Sequence, residues 1–275
     1  LSIPASGGGW NWGPVRNSNY FLENASRAES GELIDHYIGE GHFFRAWYYF
    51  DLLKQFGDLP IITQVVNVED EDILYSARSS RSDVVDFIID DLDMAVSKME
   101  FASQVGASRL NKDIALLFKA RVCLYEGTWE KYHNGTDFAG DTDGSSYLTQ
   151  AAAAANSVIT NGNYSIAMGD PETAYYELFA QTDYSSNPEV MFYKHYDANT
   201  YGIGNSMWNH PNTQGMTHGM TKNYLCTDGL PIAVSGLFVG DETLDVIQVN
   251  RDPRLAQSVI VTGDLDYVSL TGDSV

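Results

Sequence analysis

Residues 39–56 constrain the fold most, because they combine helical periodicity with a high density of aromatic side chains. Apolar residues recur at the period of an α-helix at Phe43, Ala46, Phe50 and Leu53. Aromatic residues also occupy its other faces, at Phe44, Trp47 and Tyr48. A helix that is apolar on several faces should be covered by other elements on most sides. Gly57 and Pro60 predict its end, since glycine permits a left-handed cap and proline cannot continue a helix.

Three further helices are expected after this one. Ser80 and Asp83 form a capping box that begins the first of them, which has Asp90, Asp91 and Asp93 on its solvent side. Its core face is expected to carry Val85, Ile88, Leu92, Ala95 and Met99. The next helix should run from about Asn111 to about Gly127, with Ile114, Leu117 and Leu124 among its core positions. The last spans about 147–160, is rich in alanine, and is capped by Asn161 and Gly162.

These patterns predict a mainly α fold in which helices form tetratricopeptide-like pairs, although their spacing is irregular. Residues 1–168 form the helical part of a single domain over 1–275, and residues 169–275 form a loop-rich part. Within the second part we expect a short helix over 170–179, a strand over 189–196, and an irregular segment over 197–218. An irregular segment rich in tyrosine and tryptophan indicates a binding function rather than disorder.

Composition excludes several classes of function. The net charge is −21, with 16 Lys and Arg against 37 Asp and Glu, so the chain lacks the basic surface that a nucleic-acid partner requires. No stretch is long and apolar enough for a membrane span. Cys123 and Cys226 have neither metal nor redox spacing, and Cys123 is expected to be a buried thiol. The chain begins at Leu1 rather than Met, so we expect an excerpt of a longer protein whose targeting signals can be missing.

Motifs for catalysis and for cofactors are also missing, which predicts a protein that is not an enzyme and needs no cofactor or metal. No HExxH motif, phosphate-binding loop or complete nucleophile elbow occurs. Asp137, Asp141 and Asp143 lack the register of a calcium loop. A helical glycoside hydrolase remains the alternative, because that chemistry needs only two carboxylates. Glu126, between Tyr125 and Trp129, is the one acid in a context that could raise its pKa, and a helix-terminal carboxylate is the preferred interpretation.

Four motifs, in this order and spacing, resemble the SusD/RagB family. They are Glu40 with Arg45-Ala46, continuing into Phe56-Gly57-Asp58-Leu59-Pro60; Arg81-Ser82 leading into Asp90-Asp91-Leu92; Asp228-Gly229-Leu230-Pro231; and Arg251-Asp252-Pro253-Arg254-Leu255. We expect these motifs to be scaffold. Glu40 and Arg45 should order the helix end, and Arg251, Asp252 and Arg254 should tie a turn to the body by charge-assisted hydrogen bonds.

The resemblance implies a SusD-like α-superhelix with a loop-rich ligand-binding portion. It implies a non-catalytic lipoprotein, anchored to the cell outer membrane and facing the exterior. Such a protein would bind oligosaccharide nutrients and deliver them to a TonB-dependent SusC-like transporter. Oligopeptides are the alternative ligand, because members of the family divide between the two.

Two segments combine aromatic rings with amides, as recognition of sugar rings and hydroxyls requires. The first contains Trp10 and Trp12, with Asn19 following, and Trp10 and Trp12 match the segment that supplies ligand-binding aromatics in the family. The alternative is that one of the two indoles anchors the helix in the core. The second segment is matched to the family only by region, and its candidate ligand-binding residues are Tyr201, Asn205, Trp208 and Asn209.

Overall fold

The computed structural model describes residues 10–28, 31–106, 109–181, 183–195 and 215–259. Over these ranges the protein is mainly helical and contains no strand, only two isolated bridges, Leu59–Ser79 and Cys226–Arg251. The predicted fold class is confirmed. The helices are α1 (Gly13–Asn24), α2 (Glu32–Phe56), α3 (Glu71–Leu74), α4 (Arg81–Lys98), α5 (Ala102–Val105), α6 (Lys112–His133), α7 (Ser145–Asn161), α8 (Ala174–Phe179), α9 (His218–Asn223), α10 (Leu244–Ile247) and α11 (Pro253–Ala256), with a 3-10 turn at Ala25–Arg27.

The chain divides into two compact units. Unit 1 comprises Leu1–Ser165 and Pro188–Tyr193, and unit 2 comprises Ile166–Asn187 and Lys194–Val275. Unit 1 holds the long helices and the main hydrophobic core.

Consecutive long helices of unit 1 pack against each other in antiparallel pairs. Leu59, after α2, pairs with Ser79, before α4, while His36 at the other end of α2 accepts a hydrogen bond from the Glu100 amide. α4 and α6 are also antiparallel, because Arg81 near the start of α4 contacts Glu126, and Asp93 further along α4 contacts Lys119.

The pair formed by α6 and α7 has the same antiparallel sense. Gly127 lies against Leu148, and Asp113 accepts a hydrogen bond from Asn161 at 2.7 Å. α1 packs antiparallel on α2, with Phe21 against Gly41 and Asn19 bonded to Arg45. These stacked antiparallel helices form the tetratricopeptide-like arrangement that the sequence predicts.

The predicted helix ends are largely confirmed. The Ser80 side chain accepts a hydrogen bond from the Asp83 amide, and Asn111 accepts from the Asp113 and Ile114 amides. Gly57 and Gly162 have φ angles of 69° and 68°, a region that glycine adopts without steric cost. Cys123 is fully buried, which confirms the expected buried thiol, and burial raises its pKa to about 11.

The predicted end of α6 near Gly127 is wrong, because the helix continues to His133. Gly127 serves helix packing instead of capping. A Cβ atom at this position would lie 2.7 Å from Leu148 Cγ, so only glycine lets α7 approach this closely. Glu126 is therefore not a helix-terminal carboxylate. It is fully buried and receives two hydrogen bonds of 2.7 Å from the Arg81 guanidinium.

Three other positions differ from the expectation. Asp91 was expected on the solvent side of its helix but is only 3% exposed, because it pairs with Arg45 of α2. Leu117 and Leu124 were expected in the core but are 45% and 54% exposed. They line an open apolar groove in which Trp47, Leu148 and Phe192 also lie, so only part of the apolar surface of α6 faces other helices.

The strand predicted over 189–196 does not form over its described part, 189–195. No adjacent strand offers it a hydrogen-bonding ladder within the described residues. Met191 instead packs against the core of unit 1 as a single apolar anchor. The helix expected over 170–179 forms only as Ala174–Phe179.

In unit 2, the Arg-Asp-Pro-Arg motif has the structural contacts that we expected. Arg251 is 4% exposed, and its Nη2 donates to the carbonyls of Thr221 and Tyr224 at 2.6 and 2.9 Å. Asp252 caps α11 by accepting from the Arg254 amide at 3.0 Å. The motif thus ties the turn before α11 to α9.

Candidate functional site

Trp10 and Trp12 lie in an aromatic stack beside the first turn of α1. The two indoles are 5.7 Å apart between ring centroids, with 17° between their planes. Trp10 also stacks on Phe56 at 4.7 Å, and Arg78 lies 4.7 Å from the Trp10 ring. Trp12 makes an edge contact with Tyr49 at 5.9 Å. Both indoles are partly buried against the core, so each combines an anchoring surface with an accessible one.

A cavity of about 330 Å³ adjoins Trp12. Its walls are the first two turns of α1, the extended segment 60–66 that follows α2, and the end of α3. Most of the lining is apolar, and the polar side chains are those of Arg16, Asn19, Gln64 and Ser76. The apolar lining residues are Trp12, Val15, Pro60, Ile62, Val66, Ile73 and Leu74. A cavity of this size with a few polar groups is typical of a binding site for part of a small ligand.

Asn19 holds one wall of this cavity in place. Its Nδ2 donates to the carbonyls of Ile62 and Gln64, both at 3.0 Å, and its Oδ1 accepts from Arg45 Nη1 at 3.0 Å. The side chain is fully buried. Both amide hydrogens are therefore used within the protein, and the structure gives Asn19 the position of a scaffold residue behind the cavity surface.

Behind Asn19, a buried ionic cluster connects the cavity wall to α4. Arg45 donates two hydrogen bonds of 2.7 Å to the Asp91 carboxylate, and His42 Nδ1 lies 2.7 Å from the same carboxylate. Arg45 and Glu40 were expected to order the helix end. Both lie instead in the interior of α2, where Arg45 joins α4 and Glu40 pairs with Arg109 at 2.8 Å. When a carboxylate holds a planar guanidinium in place, the directions of the remaining guanidinium N–H donors are also fixed.

Tyr49 fixes the same segment from α2. Its hydroxyl accepts a hydrogen bond from the Ile62 amide at 2.6 Å. Burial raises the pKa of Tyr49 to about 12, so the phenol stays neutral over the physiological pH range. The sequence did not identify Arg45, Asp91 and Tyr49 as supports of the site. The turn after Gly57 is the signal that could have indicated them, because it brings the following segment back alongside α2.

Arg16 is the charged side chain at the mouth of the cavity. It is exposed, and its Nη1 donates to the Val66 carbonyl at 2.6 Å. The cavity therefore offers an indole ring, an aliphatic floor, and guanidinium, amide and hydroxyl groups near its rim. This set can bind a ligand that has both a hydrophobic face and polar substituents. The second predicted set, Tyr201, Asn205, Trp208 and Asn209, lies outside the described residues.

In the described ranges, no group of three or more His, Cys, Asp or Glu side chains is arranged to hold a metal ion. Asp143, which precedes α7, accepts hydrogen bonds from the Ser145 hydroxyl at 2.6 Å and from the Ser145 amide at 2.9 Å, and this bonding lowers the pKa of its carboxyl. Of the helices within the described part of the chain, none combines the length and the apolarity that crossing a membrane requires.

Part of the helical portion is similar to known proteins. A family model of SusD-like proteins, described as starch-binding and associating with the outer membrane, matches residues 10–124. A SusD-like protein from Formosa agariphila is 30% identical over 94 residues, which are 34% of this chain and 18% of that protein.

The fold is shared with solved SusD-like structures. A SusD-like protein from Bacteroides fragilis superposes with a TM-score of 0.67 at 21% identity, over 95% of this chain and 50% of that one. A SusD-like carbohydrate-binding protein of the same species gives a TM-score of 0.66 at 21% identity, over 88% of this chain and 44% of that one. The chain thus spans half or less of the length of these relatives.

Proposed function

This chain belongs to the SusD/RagB family, and on that premise we propose that it binds oligosaccharides beside Trp10 and Trp12 and does not cleave them. The observation that carries the proposal is the position of Trp12, which joins an indole stack on one side to a ligand-sized cavity on the other. Indole faces stack against the C–H faces of sugar rings, while Arg16, Gln64 and Ser76 can bond to hydroxyl groups.

Support for a carbohydrate ligand also comes from the family, whose model is described as starch-binding. Glu126 is the candidate catalytic acid of the glycoside hydrolase alternative. Burial raises the pKa of Glu126, but this carboxylate is fully enclosed and bonded to Arg81, where a substrate could not reach it. A catalytic acid has to lie within hydrogen-bonding distance of the substrate.

Oligopeptides are the second candidate ligand, and one observation favours them. The floor of the cavity is aliphatic, with Val15, Ile62, Val66, Ile73 and Leu74, a lining that suits an apolar side chain better than a sugar hydroxyl. In this second candidate the extended segment 60–66 would lie beside a peptide backbone.

The test is isothermal titration of the protein with maltoheptaose, with a panel of other neutral oligosaccharides, and with apolar oligopeptides. We expect binding of an oligosaccharide without release of reducing ends, and a loss of affinity of about tenfold or more in Trp12→Ala, since burial of an aromatic side chain against a ligand is worth about 1–3 kcal/mol. Tyr132→Ala is the matched control, because Tyr132 is 75% exposed on α6. Equal affinity in Trp12→Ala and the wild type would exclude this site.

We further propose that the protein acts at the outer membrane, with which its family is described as associating. There it would be lipid-anchored, face the exterior and pass its ligand to a TonB-dependent SusC-like transporter. A binding protein needs such a partner to move a bound ligand across a membrane. Co-purification from detergent-solubilised outer membranes should recover a barrel protein together with this chain, and recovery from the cytoplasm would contradict the proposal.

A further inference from the structure

A second cleft lies on the other face of α1 from the Trp12 cavity. The cavity is lined by α1 residues Val15, Arg16 and Asn19, whereas the second cleft is lined by Pro14, Asn17, Ser18 and Phe21. At the periodicity of an α-helix these two sets point in opposite directions. One helix, roughly 10–12 Å across, therefore separates the two clefts.

The second cleft is a groove of about 370 Å³ between α1 and α2. The α2 wall is formed by Tyr37, Gly41, Phe44 and Tyr48, which share one face of that helix. Gly41 permits the close approach of α1, because a Cβ atom there would lie 2.7 Å from the Phe21 ring. The groove is thus shaped by the packing of two helices and not by a loop.

Aromatic rings in this groove are open to solvent. Phe21 is 40% exposed and Phe44 is 38% exposed. The rings of Phe44 and Tyr48 lie 6.3 Å apart between centroids with 23° between their planes, so they are nearly parallel. The sequence leads us to expect that α2 is covered on most sides, yet this aromatic face is left uncovered in the structure. Exposed aromatic surface of this kind marks a site of interaction.

Polar groups flank the aromatic surface and are held in fixed positions. Arg109 pairs with Glu40 through two contacts of 2.8 and 3.1 Å, and it lies 4.5 Å from the Tyr37 ring. Glu40 also contacts His36 at 3.1 Å. On the α1 wall, Asn17 is exposed and offers an amide. Because Arg109 neutralises Glu40, the groove suits an uncharged ligand with hydroxyl groups.

We propose that the α1–α2 groove is a second saccharide-binding surface, which stacks neutral sugar rings on Phe44 and Tyr48. With the Trp12 cavity on the other face of α1, it would let one polysaccharide bind the protein at two places. Linked binding at two sites raises the affinity for a polymer above that for a short oligomer. The inference takes its ligand class from the proposed function, but it concerns a separate site.

Isothermal titration with the oligosaccharide that binds best, beginning with maltoheptaose, tests this by stoichiometry. We expect two molecules per wild-type chain and one in each of Phe44→Ala, Tyr48→Ala and Trp12→Ala. Affinity gels with the matching polymer, beginning with amylopectin, should show about tenfold weaker retention for Tyr48→Ala and no change for Tyr132→Ala. One molecule per wild-type chain, with binding untouched by Tyr48→Ala, overturns the groove and leaves the proposed function intact.

Binding at the groove without binding at the Trp12 cavity can be recognised equally clearly. Binding that survives in Trp12→Ala and disappears in Tyr48→Ala supports the groove and overturns the Trp12 site, while absence of saccharide binding overturns both.

A groove covered by a protein segment is the remaining outcome, and thiol labelling detects it. Cys123 and Cys226 are buried, so a maleimide should label only the introduced thiol, and both Tyr48→Cys and Tyr132→Cys should react in protein isolated from its native membrane. Protection of Tyr48→Cys alone overturns the proposal.

Discussion

Two buried arginine–carboxylate pairs join α4 to its neighbours, and they differ in what they support. Arg45 and Asp91 join α2 to α4, and through Asn19 they reach the carbonyls of Ile62 and Gln64 at the cavity wall. Arg81 and Glu126 join α4 to α6. Arg81 there lies 4.2 Å from the Trp129 ring, in a stack of Tyr125, Trp129 and His133.

The second pair lies beside a smaller network that braces the loop between α6 and α7. Glu130, which is fully buried, accepts from Ser82 at 2.9 Å and from the Thr142 hydroxyl. Ser82 in turn accepts from the Asp141 amide at 2.9 Å. An arginine–carboxylate pair thus supports the proposed binding surface in one place and a connection between helices in the other. Stability alone should not distinguish the two pairs, whereas ligand binding should.

The largest expected effect is loss of either arginine. Arg45→Ala and Arg81→Ala each remove the guanidinium that pairs with a buried carboxylate, which costs about 3–5 kcal/mol in the free energy of unfolding. Urea denaturation of both variants measures this cost. At a temperature where both remain folded, only Arg45→Ala should also weaken oligosaccharide binding. Equal losses of affinity in the two variants would remove the functional difference between the pairs.

Asn19→Ala tests the connection itself. The substitution leaves the Ile62 and Gln64 carbonyls without their donor, at a cost of about 1–3 kcal/mol. Since segment 60–66 lines the cavity, we expect weaker ligand binding in addition to the lower stability.

Thr142→Val is the matched control for Asn19→Ala, because it removes a hydroxyl that donates to the buried Glu130 carboxylate and accepts from the Gly144 amide in the other network. Its loss of stability should be similar, with ligand affinity unchanged within about twofold, or roughly 0.4 kcal/mol. A variant of Asn19 that loses stability but keeps full affinity would show that the wall segment does not depend on this amide.

The sequence pattern predicts α2, α4, α6 and α7 but not these pairs, for a physical reason. Ser80, Asn111 and Gly162 act through neighbours in the chain, so their capping roles are readable from spacing. Asp91 and Glu126 act through arginines 46 and 45 residues away. The position of an acidic residue in the sequence pattern of a helix is the same whether its carboxylate faces water or a cation on another helix. Burial of such a residue depends on the tertiary packing that the pattern does not contain.

The candidate site could be predicted from sequence in part. Trp10 and Trp12 are recognisable because two indoles stand beside polar residues, and the structure places Trp12 at a cavity. The opposite wall could not be predicted, since the segment 60–66 has no periodicity and is positioned by Asn19 and Tyr49. The α1–α2 groove was not predicted, because the aromatic residues on the other faces of α2 were expected to be covered.

The smallest expected effect is a dependence on pH that belongs to the Arg81 pair. Burial raises the pKa of Glu126 above its ordinary value, and hydrogen bonds from Arg81 oppose that rise. A carboxyl with a raised pKa in the folded state favours folding at low pH, and this contribution is lost as the pH rises through the folded-state pKa. Removal of Arg81 takes away the opposing bonds, so the pKa of Glu126 should rise further in Arg81→Ala.

Arg81→Ala should therefore be less destabilising at pH 5 than at pH 7.5, because protonation of Glu126 relieves the unpaired charge. The difference should be on the order of 1 kcal/mol for each unit by which the pKa rises. Urea denaturation of the wild type and Arg81→Ala at both pH values measures it. The double variant Arg81→Ala with Glu126→Gln has no carboxyl at this position, so its destabilisation should be the same at the two pH values. If the single and double variants respond equally to pH, another group is responsible and Glu126 does not carry the unpaired charge.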